Sequence, residues 1–275
     1  MIRVAILDLN AGHTNQGMRC IRQIVDEWSE FHGIETERDE FDVRQKAEVP
    51  GPNYDVYISS GGPGSPLESI GSDWEKAYFG WLQKIEEWNA DSRNAAKKHV
   101  FFICHSFQLV CRHYAIGNIS KRNKVSFGVY PVHVTLEGQM DSAFKGLPDP
   151  FYVVDSRSYQ VTSPDFEKLN RLGSTILCIE KYRPHLEFEQ AVMGIRFNEY
   201  MAGTQFHPEA DAIGMSMYLQ TEEKKKTVIE NFSEEKWASM VSHLNDPDKI
   251  MWTYAHILPN FLSEAARQFR QSMVA

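Results

Sequence analysis

The spacing of apolar residues alternates between two periods in the first part of the chain, which predicts alternating strands and helices. Short apolar runs typical of buried strands occur at residues 3–7, 35–41, 55–59 and 100–103. Between the first two runs, apolar residues from Met18 to Trp28 recur at the spacing of one helix face. A second helical stripe, rich in aromatic residues, extends from Trp74 to Trp88. Core packing explains this stripe better than a partner surface does.

The second part of the chain contains strand-like runs that follow one another closely, at residues 129–136, 151–154, 175–181, 191–197 and 200–204. Such close spacing leaves little room for crossover helices and favours antiparallel pairing. The order of elements therefore predicts an α/β fold of three layers. A mainly parallel central sheet lies between helices and continues into an antiparallel extension.

The pattern becomes helical near Met215. A short charge run at residues 224–226 is typical of a solvated helix face. Apolar residues from Ile250 to Ala265 recur at helical spacing, and Pro259 is expected to kink or split that helix. We predict a main domain at residues 1–212 and a helical extension at residues 213–275, which packs on that domain or makes a homodimer contact.

Composition excludes several classes of function. The 275 residues carry a formal net charge of −8, so no basic face for nucleic acid is expected. No apolar stretch is long enough to cross a bilayer, and the N-terminus lacks the pattern of a signal peptide. Four scattered cysteines without paired spacing favour a reducing compartment, so we expect a cytoplasmic protein without a cofactor.

Cys104 is the strongest candidate for a reactive residue, because it lies between a predicted strand and a predicted helix. The apolar run Val100–Ile103 stops immediately before it, and residues 108–110 continue as a helix. A corner between strand and helix holds one side chain at the carboxyl edge of the sheet, close to unpaired N–H groups of the next turn. That is the place for a thiolate nucleophile. The other three cysteines are better explained as small buried apolar residues.

Two further segments support this interpretation. Residues 59–66, Ser-Ser-Gly-Gly-Pro-Gly-Ser-Pro, follow a predicted strand, and glycines there can turn a peptide N–H toward a developing negative charge. Residues 205–209, Gln-Phe-His-Pro-Glu, end another strand. His207 can activate a thiol, and Glu209 can orient the imidazole. A metal site that uses Cys104 or its neighbours is not expected, because a helix would direct those side chains to different faces.

These segments, in this order, resemble the class I glutamine amidotransferases, in particular stand-alone domains like the glutaminase half of GMP synthase. The resemblance covers residues 2–212 and implies that family's flavodoxin-like fold. It also implies that Cys104 is the nucleophile, that His207 is the general base and acid, and that Glu209 orients His207.

The same resemblance implies roles for the residues around the nucleophile. The N–H groups of Gly62 and His105 would form the oxyanion hole. Substrate contacts would come from Gly61, Gln108, Ser158 and Tyr159. The implied substrate is glutamine or a γ-glutamyl compound, and ammonia transfer would need a separate synthetase subunit, because no synthetase segment is visible.

One departure from the family pattern leaves alternatives open. The family places glycine or another small residue two positions before and after its nucleophile, where this chain has Phe102 and Ser106. Either Phe102 packs inward from its strand, which we favour, or it reshapes the pocket. The open functions are therefore glutamine amide hydrolysis, γ-glutamyl peptide hydrolysis, and a non-catalytic binding or regulatory role on the same fold.

Overall fold

The computed structural model describes residues 1–13, 16–182, 189–246 and 249–274. Within these ranges one nine-stranded sheet forms the centre of the molecule. Its strands are β1 (Ile2–Asp8), β2 (Thr36–Asp42), β3 (Val56–Ser59), β4 (His99–Ile103), β5 (Asn118–Val134), β6 (Phe151–Thr162), β7 (Thr175–Glu180), β8 (Val192–Asn198) and β9 (Met201–Thr204).

Helices cover both faces of this sheet. They are α1 (Gln16–His32), α2 (Val43–Lys46), α3 (Asp73–Ala90), α4 (His105–His113), α5 (Leu136–Met140), α6 (Phe166–Leu172), α7 (Ala212–Leu219), α8 (Glu222–Asn231), α9 (Glu234–Asn245) and α10 (Ile250–Val274). A short 3₁₀ helix spans Ser142–Phe144. The predicted three-layer α/β architecture is confirmed.

The sheet is mixed, in the order β2-β1-β3-β4-β9-β8-β7-β5-β6. The five strands from β2 to β9 pair in parallel. The next four pairings, from β9 across to β6, are antiparallel, as the close spacing of the later runs predicts. The carboxyl ends of β1, β3, β4 and β9 therefore meet at one edge, where polar loops follow each strand.

Two predicted strand boundaries are wrong. β6 continues to Thr162, so residues 157–159 lie inside the strand and not after it. Leu136 begins α5 instead of ending β5. β5 and β6 pair along most of their lengths, from Asn118 opposite Thr162 to Val132 opposite Phe151. Many residues in this ribbon are polar or partly exposed, so hydrophobicity alone does not mark its full extent.

Alternate residues of the central strands build two apolar layers. On β4, Phe101 and Ile103 pack on the side of α1 and α10, whereas Val100 and Phe102 pack on the side of α3 and α4. The aromatic stripe of α3 belongs to the second layer: Tyr78, Trp81 and Ile85 are almost fully buried. Core packing is thus confirmed for the buried part of that stripe.

The C-terminal helices pack on the sheet in two groups. α10 inserts buried side chains into the first apolar layer, namely Ile257, Leu258, Phe261, Leu262, Ala265 and Ala266. Its hydrogen-bonded turns continue through Pro259, so the expected split does not occur. Pro259 removes one backbone hydrogen-bond donor from the helix. The buried side chains that precede and follow it in sequence pack on the sheet and keep the helix continuous. Helices α7 to α10 also build a smaller cluster on β5 and β6, with members such as Val154 and Leu219. The boundary at residue 212 stays a prediction.

Phe102 points inward, as favoured from the sequence, and is fully buried. It pairs across the ladder with Gly203 of β9. A Cβ atom at residue 203 would lie 2.9 Å from the Phe102 Cβ and 2.7 Å from its carbonyl oxygen. The ring packs edge-on against Phe197, with 5.7 Å between centroids. The space that Phe102 needs near Cys104 is therefore provided by a glycine on the neighbouring strand.

We expect Phe102→Ala to lower the free energy of unfolding by about 3–5 kcal/mol, because it removes a fully buried ring from a packed layer. Urea denaturation measures this change. Phe31→Ala, at a ring that is 86% exposed, is the matched control and should change stability by less than about 0.5 kcal/mol. Equal small losses for both variants would contradict the packing role.

Candidate active site

Cys104 lies at a strained corner between β4 and α4. Its φ of 49° and ψ of −97° fall outside the regions that ordinary residues adopt. The Cys104 N–H donates to the Thr204 carbonyl at 2.8 Å, and the Gln108 N–H donates to the Cys104 carbonyl at 3.0 Å. Both sides of the corner are thus fixed by backbone bonds, and the side chain is held at the carboxyl edge of the sheet.

Ser106 braces this corner with its hydroxyl group. Its Oγ accepts the Ile103 N–H at 2.8 Å and lies 2.9 Å from the Ser59 carbonyl oxygen at the end of β3. The sequence pattern indicated only that Ser106 is small enough for the corner. No sequence pattern indicated this bridging role, which requires the ends of β3 and β4 to be adjacent.

His207 and Glu209 follow β9 and form a close pair. His207 Nδ1 lies 2.8 Å from Glu209 Oε1, and the carboxyl group is 2% exposed. Glu209 Oε2 has no hydrogen-bond partner among the described residues. The His207 N–H donates to the Val154 carbonyl at 2.9 Å, which ties this turn to β6. The ring orientation is therefore set by a buried carboxylate whose only described partner is the imidazole.

The two histidines of the site have opposite electrostatic environments. Burial disfavours the imidazolium of His207, but the charges of Glu209 and Cys104 and the hydrogen bonds to them outweigh it. The pKa of His207 is consequently raised well above 6.5. Burial, with the charges of Arg44 and Arg112, instead lowers the pKa of His105 to about 3. At neutral pH His207 can hold a proton beside the sulfur, whereas His105 is neutral.

The glycine loop after β3 is held close to Cys104. A Cβ atom on Gly62 would lie 2.2 Å from the Leu9 carbonyl oxygen, so only glycine fits there. The loop is tied to β1 by a 2.9 Å hydrogen bond from the Leu9 N–H to Ser60 Oγ. Arg44 of α2 also donates to the carbonyl of Pro63. These bonds fix the loop whose N–H groups are predicted to contribute to an oxyanion hole.

Gly61 permits the approach of the two principal side chains. A Cβ atom there would lie 2.9 Å from His207 Cε1 and 3.5 Å from the Cys104 Cβ. The predicted nucleophile, the predicted base and the glycine loop thus meet at one point. The N–H of His105 belongs to the first turn of α4, where no intrahelical acceptor exists.

A cleft of about 510 Å³, called the catalytic cleft below, opens above these groups. Its lining includes the predicted residues Gly62, Cys104, His105, Gln108, Ser158, Tyr159 and His207. Gly61 packs beneath it and Glu209 lies behind His207. The lining also includes residues that were not predicted from the sequence, among them Asn10, Val125, Ser156 and Tyr218.

The unpredicted residue Val125 reaches the cleft through a bulge in β5. Lys121 pairs with Tyr159 and Ser126 pairs with Arg157, so residues 122–125 all lie opposite Ser158. Val125 is consequently 50% exposed at the cleft. Such a bulge leaves no hydrophobic signature, because its residues belong to neither face of a regular ladder.

The strand that forms one wall of the cleft is fixed by buried charges. The Arg157 guanidinium donates to Asp155 at 2.9 Å and lies 3.7 Å from Glu180, and it is 1% exposed. Gln108 Nε2 donates to the Tyr159 carbonyl and to Gln205 Oε1, both at 3.1 Å. Gln108 therefore holds β6 in place beside Cys104. A direct contact between Gln108 and a substrate stays a prediction.

A metal centre and a membrane span are both absent from the described residues. Among them, no group of three or more His, Cys, Asp and Glu side chains is arranged to hold a metal ion. The helices within the described ranges include none that is long and apolar enough to span a membrane.

Comparison with known proteins identifies the family. The sequence model of class I glutamine amidotransferases matches residues 17–222. The chain belongs to this family. The amidotransferase fold is shared with a glutamine amidotransferase from Thermotoga maritima, at a TM-score of 0.66 and 18% identity, over 96% of this chain and 97% of that one. A candidate GMP synthase subunit from Thermoplasma acidophilum gives a TM-score of 0.60 at 16% identity, over 100% and 98% of the two chains.

A curated relative matches only part of this amidotransferase. It is a homoserine O-acetyltransferase from Azobacteroides pseudotrichonymphae, 36% identical over 124 residues. The match covers 44% of this chain and 35% of the relative, so the chain spans about a third of that protein's length.

We expect Gly61→Ala to lower kcat for glutamine hydrolysis by about 100-fold without unfolding the amidotransferase, because the added methyl group would displace His207 or Cys104. Steady-state kinetics and circular dichroism measure the two effects. Gly80→Ala is the matched control: it lies in α3 with nothing within 4 Å of the new Cβ, and it should keep full activity. Unchanged kcat for Gly61→Ala would show that the contact is not needed.

The raised pKa of His207 predicts a pH-dependent contribution to stability. A histidine whose folded pKa lies above its unfolded value stabilises the fold most below the unfolded pKa, and this contribution disappears as the pH rises through the folded pKa. Glu209→Gln removes one of the two charges that raise the pKa of His207, the other being that of Cys104. We therefore expect its loss of unfolding free energy to be largest near about pH 6 and to shrink toward about pH 9.

Urea unfolding across that pH range checks this expectation. Glu68→Gln, at an exposed glutamate, is the control and should show no such trend. A loss for Glu209→Gln that grows with pH would contradict the assigned charge pair.

Proposed function

We propose that the chain hydrolyses the side-chain amide of glutamine to glutamate and ammonia through a thioester on Cys104. The observation that carries this proposal is the position of Cys104 at a strained corner, beside His207, which is held by Glu209. Membership of the class I glutamine amidotransferases supports amide hydrolysis in general. The roles of the individual residues are our assignment.

In the first step the Cys104 thiolate attacks the amide carbon of glutamine. The C–N bond breaks, and His207 gives its proton to the departing ammonia. The raised pKa of His207 supports this role, because the imidazolium is then present at neutral pH when the thiolate attacks. Glu209 keeps Nδ1 occupied, so the other ring nitrogen can serve the reaction.

In the second step water attacks the thioester and gives its proton to His207. The C–S bond breaks, glutamate leaves and the thiolate returns. In both steps negative charge develops on the carbonyl oxygen, and we assign its stabilisation to the N–H groups of Gly62 and His105. Loss of one such donor typically costs about 100-fold or more in rate.

Substrate contacts and partners are also part of the proposal. The cleft positions of Ser158 and Tyr159 support a role in holding the amino-acid end of glutamine. The structural likeness to a candidate GMP synthase subunit supports a separate synthetase as ammonia acceptor. The four cysteines are free and buried, which supports a reducing, cytoplasmic setting.

The partial match to a homoserine O-acetyltransferase favours a second candidate, acyl transfer to a hydroxyl group. Cys104 would then take an acetyl group from acetyl-CoA as a thioester, with release of CoA; the acceptor hydroxyl would give its proton to His207 and attack the thioester, so that the C–S bond breaks and the thiolate returns. Incubation of the purified protein with acetyl-CoA and homoserine, in parallel with glutamine, separates the two candidates by their products.

We expect Cys104→Ser to remain folded and to lose glutamine turnover by about 1000-fold or more, because a hydroxyl group beside His207 is a much weaker nucleophile than a thiolate. Glutamate release measures turnover. Acivicin, an electrophilic glutamine analogue, should label the wild-type protein at Cys104, as peptide mass spectrometry would show.

Cys178→Ala provides the control, because Cys178 is buried in β7 away from the cleft and its replacement should leave turnover in place. Wild-type turnover by folded Cys104→Ser would disprove the assignment of the nucleophile. Absence of both labelling and turnover would instead favour the non-catalytic alternative.

A further inference from the structure

A second cleft of about 490 Å³ lies beside the catalytic cleft, among α1, β6 and α7. It shares three lining residues with the catalytic cleft, namely Ser156, His207 and Tyr218. Cys104 and the glycine loop do not line it. His207 therefore lines two adjoining clefts; Cys104 lines the first and Glu209 lines the second.

The proposed reaction places the two parts of the substrate, the attacked carbon and the leaving amine, at different positions. The carbon attacked by Cys104 must lie in the catalytic cleft, near the sulfur and the N–H groups of Gly62 and His105. The departing nitrogen must come within reach of His207, which protonates it. A group attached to that nitrogen needs further space next to His207, and the second cleft is the other cleft that His207 lines.

The size of the second cleft exceeds what ammonia requires. Ammonia has a single heavy atom, whereas 490 Å³ lies in the range of pockets that bind small molecules, about 300–1,000 Å³. We propose that the second cleft binds the amine leaving group of a γ-glutamyl amide, and that this group is an amino acid with an apolar side chain. The proposal rests on the thioester chemistry assigned to Cys104 and His207.

The lining of the second cleft indicates the chemistry of this leaving group. Its walls include the apolar side chains of Phe127, Val154 and Met215. These residues belong to or pack on the cluster that joins α7 to β5 and β6. An aliphatic side chain would bury its surface against them.

Arginine side chains also line the second cleft. Arg22 lines it and uses Nη1 to pair with Glu40, at 3.0 Å, where both side chains are about 40% exposed. Exposed pairs of this kind hold little energy, and a guanidinium has donors on three nitrogens. Arg22 can therefore receive the free carboxylate of the leaving amino acid.

The reaction balances as a hydrolysis. Cys104 sulfur bonds to the γ-carbon, the C–N bond breaks, and the amino acid leaves with the proton of His207. Water then attacks the thioester and returns a proton to His207, and the C–S bond breaks. The products are glutamate and the free amino acid, and no oxidant or second co-substrate is needed.

Specificity constants of the wild-type protein for glutamine, γ-glutamyl-glycine and γ-glutamyl-leucine test the proposal. We expect kcat/KM for γ-glutamyl-leucine to exceed that for γ-glutamyl-glycine by about 10-fold or more, because only leucine fills the apolar walls. Hydrolysis of glutamine without cleavage of either dipeptide would overturn this inference and leave the proposed function standing. Turnover of none of the three would overturn both.

A matched pair of substitutions on α7 tests whether the leucine side chain binds in the second cleft. Met215→Trp places a larger side chain in the second cleft and should reduce the ratio of leucine to glycine specificity by about 10-fold. Met217→Trp is the control: it lies two residues away on α7, is 69% exposed and does not line this cleft. A leucine preference that Met215→Trp leaves intact, in a protein with native circular dichroism, would place the binding site elsewhere.

Discussion

The site depends on one constraint, the strained backbone of Cys104. A residue with a side chain keeps a positive φ only where its surroundings hold it, and here the surroundings are the strand ends themselves. The carbonyl of Thr204 fixes one side of the residue, and the hydroxyl of Ser106 joins its strand to β3. The parallel half of the sheet thus supplies the rigidity, and the loops supply the chemistry.

Two buried charged groups near this corner, Glu209 and Arg157, differ in how far their charge is balanced by partners. Glu209 has a carboxylate oxygen without a described hydrogen bond, and its charge acts on His207 with little competition. By contrast, Arg157 is neutralised by Asp155 and Glu180, so it contributes position more than charge. The same interior therefore contains one pair that tunes a proton and one network that fixes a wall.

The sequence predicted the architecture and the central group of the site, because both depend on local patterns. The sequence alone reveals a buried strand that stops at Cys104, a glycine cluster and a histidine after a strand. The length of β6, the bulge that exposes Val125 and the brace formed by Ser106 were not visible. Each of these depends on which strands become neighbours. Phe102 shows the limit most clearly, since its fit is decided by Gly203, about a hundred positions later in the chain.

The path of the chain also affects when the site can form. α10 follows all the described strands in sequence, yet it supplies the apolar cover for the face of β4 that contains Phe101 and Ile103. During synthesis α1 is available to this face early, and α10 completes its cover last. The strained conformation of Cys104 needs a packed strand behind it, so we expect this corner to become fully rigid only when the last helix has docked.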